Sequence, residues 1–154
     1  MMIHPRITYQ FECLATEIGV RSFLLGLHEV LVARAVEEDL KSSIEIAVAE
    51  GLNNIVEHAL PGQSEDVIVV EISINAAQVF VQLEDSGAAM PGWQLPAGRM
   101  ADVTVPRAQL PEGGFGWGMI HALTDCLDYS RINGVNRLKM WFGTHPSTVL
   151  RRLS

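Results

Sequence analysis

The sequence predicts an α+β domain in which helices cover one face of a mixed β-sheet, giving a two-layer sandwich. Three observations predict this fold class: long stretches with hydrophobic residues at helical spacing, short alternating stretches of β-branched residues, and a hairpin turn at Asn133-Gly134. The predicted order is strand, helix, helix, strand, strand, loop, helix, strand, strand. With 154 residues, the chain is long enough for a hydrophobic core, and we expect a single domain over residues 1–154.

The first half of the chain contains one predicted strand and two predicted helices. β-Branched and aromatic residues predict a strand over residues 6–14, and Thr16 is placed to cap a helix over residues 17–36. A second helix is predicted over residues 39–60, because acidic residues open it and Pro61-Gly62 provides a stop signal.

The second half contains four predicted strands and a short helix. Alternating apolar residues predict one pair of strands over residues 67–74 and 79–84. A short helix over residues 119–124 comes next, and a second pair of strands is predicted over residues 127–132 and 135–142.

A long irregular loop separates the two pairs of strands. Residues 91–112 carry four prolines, two glycines and Trp93, and they show no regular periodicity. Loops of this length in a compact domain are usually functional or disordered, so we expect a mobile lid at about residues 88–113.

Three polar residues lie along one margin of the second helix. Glu50, Asn54 and His58 are four residues apart, so they line one side of the apolar face that we expect to pack on the sheet. Burying such groups without partners costs about 1–3 kcal/mol each, so a ligand, an ion or water could meet them. From this stretch alone, an ordinary helix boundary and a binding site are equally good readings.

Two further segments carry glycines at chemically useful places. Asp85-x-Gly87 follows a predicted strand, where a carboxylate could accept a hydrogen bond from an exocyclic amine, although the same spacing is common in turns. The spacing Gly114-x-Gly116-x-Gly118 fits neither a P-loop nor a dinucleotide fingerprint. It remains either a hinge or a loop whose backbone amides bind an anion at a helix N-terminus.

Composition limits the possible partners and the location. The net charge of -7 and the scattered basic residues argue against a nucleic-acid partner. No apolar run is long enough for a membrane span, and Glu12 and Glu17 interrupt the place of a signal peptide, so we expect a cytoplasmic protein. Cys13 and Cys126 show no metal-binding spacing.

Taken together and in this order, these segments resemble a known nucleotide site. Glu50-x-x-x-Asn54-x-x-x-His58, Asp85-x-Gly87, the lid and Gly114-x-Gly116-x-Gly118-Met119 resemble the N box and the two glycine boxes of the Bergerat (GHKL) ATP-binding fold. Histidine kinases, DNA gyrase and MutL share this fold. The compact chain, the short helix after the glycines, and the run from Asp125 to Asn136-x-Leu138 further resemble the bacterial anti-sigma-factor serine kinases of the RsbW type.

The resemblance implies a role for each matching residue. Asn54 would ligate the Mg²⁺ that bridges the ATP phosphates, and Glu50 would be the general base. Asp85 would bind the adenine amino group, and Gly87 would lie under the ring. The phosphates would meet a segment formed by Gly114, Gly116, Gly118 and Met119.

Other residues have less defined expectations. His58 is expected to pack or bond the helix end, and Arg99 or Arg107 in the lid could reach a phosphate. Members of the family often have a second glycine two residues after Gly87, whereas this chain has Ala89, which could tighten the turn or lower nucleotide affinity.

The resemblance also implies a function. It is that of an ATP-dependent protein serine kinase and anti-sigma factor, which phosphorylates a STAS-domain anti-anti-sigma protein and sequesters a sigma factor or other target. Such proteins form homodimers, and the first strand and helix are the expected interface. One alternative is a nucleotide-responsive binding module without phosphotransfer. Another is an excised histidine kinase domain, but the chain has no predicted helix pair with a phosphorylatable histidine.

Overall fold

The chain folds into a five-stranded sheet covered by helices, as seen in a computed structural model that describes residues 5–61, 65–96 and 115–143. The elements in chain order are β1 (Ile7–Leu14), α1 (Glu17–Ala33), α2 (Glu38–Asn54), a π-helix (Ile55–Ala59), β2 (Val67–Ile74), β3 (Gln78–Asp85), a short 3₁₀ turn (Pro91–Trp93), α3 (Phe115–Leu123), β4 (Cys126–Ile132) and β5 (Val135–Gly143).

The strands lie in the order β1-β2-β3-β5-β4, and all four pairings are antiparallel. The prediction of a mixed sheet is therefore wrong for the described strands. Two helices lie between β1 and β2 along the chain. If the chain turns back after each element, it reverses an odd number of times, so these neighbouring strands run in opposite directions. The single helix α3 leaves β3 and β4 parallel, but β5 lies between them.

The hydrophobic core lies between the sheet and the helices. Along β2, β3 and β5, buried residues alternate with partly exposed ones, so one face of the sheet is covered. The core on the helix side contains the buried residues Val20, Phe23, Leu27, Leu31, Ile44, Ala47, Val48 and Leu52. These residues include most of the apolar face that the sequence predicts for the second helix. The two-layer α+β architecture is confirmed.

Two helix boundaries differ from the sequence prediction. α2 ends at Asn54 and continues as the π-helix Ile55–Ala59, so the predicted single helix changes its winding near its end. α3 begins at Phe115, four residues earlier than predicted, and it therefore includes Gly116 and Gly118. Glycine has a low helix propensity, and packing against α2 overrides that preference here.

Turn chemistry agrees with the sequence. Asn133 and Gly134 both adopt positive φ, 53° and 77°, which closes the β4–β5 hairpin as expected. In the predicted lid, Trp93 also has a positive φ of 57°, although residues 97–113 lie outside the described residues. Within the described ranges, no helix combines the length and apolar character that crossing a membrane requires.

Two glycines of α1 differ in the space around them, which gives a stability prediction. A side chain at Gly19 would overlap the backbone oxygen of Leu14 and place its Cβ 2.8 Å from Leu14 Cβ, whereas Gly26 has nothing within 4 Å of that position. We expect Gly19→Ala to lower the free energy of unfolding by about 1–3 kcal/mol through overpacking. Gly26→Ala should raise it by about 0.5–1 kcal/mol, because alanine favours helix.

Urea unfolding of the two variants and the unmodified protein measures this difference. A rise of similar size for both variants would contradict the expected overpacking at Gly19, since helix propensity alone favours alanine at both positions.

Candidate functional site

A cavity of about 370 Å³ opens where β3 ends, between the sheet and the C-terminal part of α2. Its size lies within the usual range for small-molecule sites. The lining is mostly apolar, and residues with polar side chains are found on the sheet side (Asp85, Tyr129, Asn136) and on the helix side (Asn54, His58).

Glu50, Asn54 and Gly116 come together where α2 packs against the first turn of α3. A Cβ at position 116 would lie 2.5 Å from Glu50 Oε2 and 3.9 Å from Asn54 Nδ2. The α3 backbone can approach these side chains because residue 116 has no side chain. The structure thus brings a carboxylate, a carboxamide and a bare backbone segment together in one neighbourhood.

Asn54 Nδ2 is buried and has no hydrogen-bond partner among the described residues. An unsatisfied buried polar atom costs free energy, so it marks a place where a ligand can supply a missing interaction. The oxygen of the same carboxamide is a suitable ligand for a hard cation.

The donor set fits Mg²⁺ bound together with a phosphorylated ligand. Within the described residues, no group of three or more His, Cys, Asp or Glu side chains could hold a metal ion by itself. Mg²⁺ in nucleotide sites takes only one or two protein ligands, and phosphate oxygens and water supply the remainder. Asn54 is the described side chain that would contribute such an oxygen here.

Asp85 lies at the sheet side of the cavity and is 5% exposed. Its Oδ1 accepts hydrogen bonds from Gly87 N at 2.8 Å and from Asn136 Nδ2 at 3.0 Å. Burial raises the pKa of the Asp85 carboxyl, and the nearby Glu84 acts in the same direction. The two hydrogen bonds and the charge of Arg131 oppose this rise in pKa.

Gly87 closes the site by packing on the end of the π-helix. Ala88 N donates to the backbone oxygen of Ala59 at 2.9 Å. A Cβ at position 87 would overlap that same oxygen and lie 2.7 Å from the Ala59 carbonyl carbon. Glycine is therefore required here by close approach of two backbone segments.

Three residues that sequence reasoning did not assign to the site surround Asp85. Asn136 pairs with Asp85 across β3 and β5, Tyr129 OH donates to Asn136 Oδ1 at 2.5 Å, and Arg131 Nη1 donates to the same oxygen at 2.9 Å. One signal was available: position 136 belongs to the inward-facing series of β5, together with buried Leu138 and Met140. A polar residue in that series needs a partner.

The other predicted residues have less direct positions. His58 lines the cavity, but its side chain is 74% exposed, and its Nε2 lies 3.7 Å from Glu57 Oε2. Gly118 lies within α3 and not in the predicted loop. Met119, where the helix was predicted to begin, lies within α3 as well. Ala89 lines the cavity. Gly114, Arg99 and Arg107 lie outside the described residues.

Comparison with known families gives a match over most of the chain. The sequence pattern of a family described as "Histidine kinase-like ATPase domain" matches residues 14–142. Comparison with curated proteins gives no match.

Solved structures with a similar fold include three bacterial proteins. The RsbU and RsbW domains of Rv1364c from Mycobacterium tuberculosis superpose with a TM-score of 0.64 at 19% identity, over 91% of this chain and 33% of that one. The SiaB-SiaC complex from Pseudomonas aeruginosa superposes with a TM-score of 0.57 at 14% identity. The match covers 88% of this chain and 89% of that one. The histidine kinase domain of a blue-light activated histidine kinase from Erythrobacter litoralis EL346 superposes with a TM-score of 0.53 at 15% identity. The match covers 90% of this chain and 64% of that one. The chain thus spans a third of the first structure's length.

The buried carboxylate of Asp85 gives a prediction for the pH dependence of stability. Its raised pKa means that the folded state binds this proton more tightly than the unfolded state, whose value is near 3.8. The Asp85 contribution therefore lowers the free energy of unfolding as pH rises through the interval above 3.8. We expect Asp85→Asn, which can still accept both hydrogen bonds, to be more stable than the unmodified protein at pH 7.

Chemical denaturation of both proteins between pH 3 and pH 8 measures this difference, in roughly the range where carboxyl groups titrate. The advantage of Asp85→Asn should shrink as pH falls. A difference independent of pH would contradict the assigned cause.

Proposed function

Because this chain belongs to the family of histidine kinase-like ATPase domains, we propose that it is an ATP-dependent protein serine kinase of a partner-switching system. It would phosphorylate a STAS-domain anti-anti-sigma protein and, when that partner is not bound, sequester a sigma factor or another target in the cytoplasm. The fold shared with part of the RsbU and RsbW domains of Rv1364c supports the choice of this branch of the family.

The observation that carries the proposal is the separation of two kinds of chemistry in one cavity. Asp85 at the sheet side offers an oxygen to an amino group. Asn54 at the helix side has a buried carboxamide nitrogen that finds no hydrogen-bond partner among the described residues. Adenine would bind beside Asp85, and the phosphates would extend toward Asn54. There they meet the N-terminal turn of α3, where backbone amides favour anions.

Glu50 lies one helical turn before Asn54 and would act at the phosphate end. Its carboxylate would take the proton from a serine hydroxyl of the partner as that oxygen bonds to the γ-phosphorus. The bond to the bridging oxygen breaks, and ADP leaves with that oxygen. Bound Mg²⁺ would neutralise phosphate charge during the transfer. A general base of this kind typically contributes about 10²–10⁴ in rate.

Glu50→Gln tests the enzymatic part of the proposal. Glutamine has nearly the same shape but cannot accept the proton, so we expect transfer to fall by about 10²–10⁴ while Mg·ATP affinity changes less than about threefold. Transfer of labelled phosphate from ATP to a purified STAS-domain protein that binds the chain measures the rate, and calorimetry measures the affinity.

Asn54→Ala is the matched variant one turn away. It should weaken nucleotide binding in the presence of Mg²⁺ and change it little when the metal is chelated. If the unmodified protein binds Mg·ATP but transfers no phosphate to such a partner, the kinase assignment fails. A nucleotide-responsive binding module then remains.

A homodimer is part of the same proposal. Phe23, Leu27 and Leu31 of α1 are buried in the core, so they are not available for an interface. A different set is exposed and spaced seven residues apart, which places its members on one stripe of the helix: Ile18, Leu25 and Val32, at 74%, 68% and 52%. This stripe supports association of two copies through the first strand and helix, and so does β1, which is an edge strand of the sheet formed by the described residues.

Leu25→Glu tests the interface. A charge at the middle of the stripe should weaken dimerisation by about tenfold or more, because truncating or charging an interface centre costs over 1 kcal/mol. Sedimentation velocity measures the dissociation constant, and Ser42→Glu on the exposed surface of α2 is the control for added charge. An unmodified protein that sediments as a monomer contradicts the proposal.

A further inference from the structure

Asn136 is the centre of a hydrogen-bonded group that we call the Asn136 cluster, formed by Asp85, Tyr129, Arg131 and Asn136. The orientation of the Asn136 carboxamide follows from the chemistry of the neighbouring groups. Arg131 can only donate, and it lies 2.9 Å from Oδ1, so that atom must be the oxygen. The backbone oxygen of Ala88 can only accept, and it lies 2.9 Å from Nδ2. The amino group of Asn136 therefore faces Asp85.

The hydrogen-bonding capacity of Asn136 is filled by the protein. Its oxygen accepts from Tyr129 OH and Arg131 Nη1, and its amino group donates to Asp85 Oδ1 and to the backbone oxygen of Ala88. The residue is 4% exposed. Asn136 is thus a positioning residue, because it has no donor or acceptor left for a ligand in the cavity.

The consequence falls on Asp85, whose two oxygens become different. Asn136 Nδ2 and Gly87 N both donate to Oδ1, at 3.0 and 2.8 Å. Among the described residues, these two donors occupy one oxygen and leave Oδ2 as the acceptor for the cavity that Asp85 lines. A carboxylate oriented in this way recognises an N–H donor and repels a carbonyl oxygen at the same place.

We propose that Asn136, oriented by Arg131 and Tyr129, determines the preference of this site for a purine that carries a 6-amino group. Asn136 holds the Asp85 carboxylate by Oδ1, so that Oδ2 meets the amino group in a fixed direction. Without Asn136, the carboxylate rotates and the amino group loses its aligned partner. This inference rests on the proposed nucleotide site and adds the residues that set its base specificity.

Arg131 and Arg137 both lie near the end of β3, but they make different contacts. Arg137 pairs with Glu84 at 3.2 Å. Arg131 reaches Asn136 and also donates to the backbone oxygen of Gly87 at 2.8 Å. Arg131 inside the cluster and Arg137 outside it therefore form a matched pair for an experiment.

The experiment compares ATP with purine riboside 5′-triphosphate, which lacks the 6-amino group. The unmodified protein should bind ATP about 10- to 100-fold more tightly, the value of a hydrogen bond to a charged group. In Asn136→Leu the preference should fall below about threefold, while affinity for the analogue stays nearly constant. Arg131→Met should reduce the preference at least about threefold, Arg131→Lys should restore part of it, and Arg137→Met should keep it.

If the cluster had a purely structural role, the variants would lose affinity for both nucleotides equally and the ratio of the two affinities would not change. That result overturns the inference. Circular dichroism of each variant checks folding, and if Asn136→Leu does not fold, the arginine variants decide the question. An unmodified protein that binds neither nucleotide overturns the proposed function and this inference together. A preserved preference in Asn136→Leu and Arg131→Met overturns the inference alone.

Discussion

The site depends on a close backbone contact between the end of the π-helix and the turn after β3. Ala88 N bonds to the oxygen of Ala59, and Gly87 lies against the same carbonyl group. This contact joins the helix that carries Glu50 and Asn54 to the strand that carries Asp85. A side chain at position 87 would separate the two segments, so glycine fixes the width of the cavity as well as the turn.

The cavity stores unfavourable interactions that a ligand can relieve. Asn54 Nδ2 is buried without a partner among the described residues, and burial raises the pKa of Asp85. Both features disfavour the folded protein, and the apolar core under them offsets the loss. Natural proteins break local rules of stability at functional sites in this way. The same two residues are those to which the proposed function assigns the nucleotide.

Most of the fold could be predicted from the sequence, because hydrophobic spacing is a local property. β2 has the predicted bounds, and Asn133-Gly134 closes the predicted hairpin. The antiparallel pairing of all strands could not be read locally, since it depends on how helices reverse the chain between strands. The π-helix was missed because its hydrophobic pattern resembles that of an α-helix over so few residues.

The candidate site was predictable where its residues share one element or motif. Glu50 and Asn54 lie one turn apart on α2, and Asp85 and Gly87 form one local turn. Asn136 could not be connected to Asp85 in the same way, because their contact requires the register of β3 against β5. Tyr129 and Arg131 lie on β4, so their approach to Asn136 requires the second hairpin as well.

The strand order has a consequence for biosynthesis. β5, which is made last among the described elements, inserts between β3 and β4, and it brings Asn136 to Asp85. A growing chain therefore completes α2, β3 and the turn after β3 before the residue that orients Asp85 has been translated. Such non-local pairings also form slowly during folding. The orientation of Asp85 by Asn136 is thus present only in the finished domain, and early folding of the nascent chain proceeds without it.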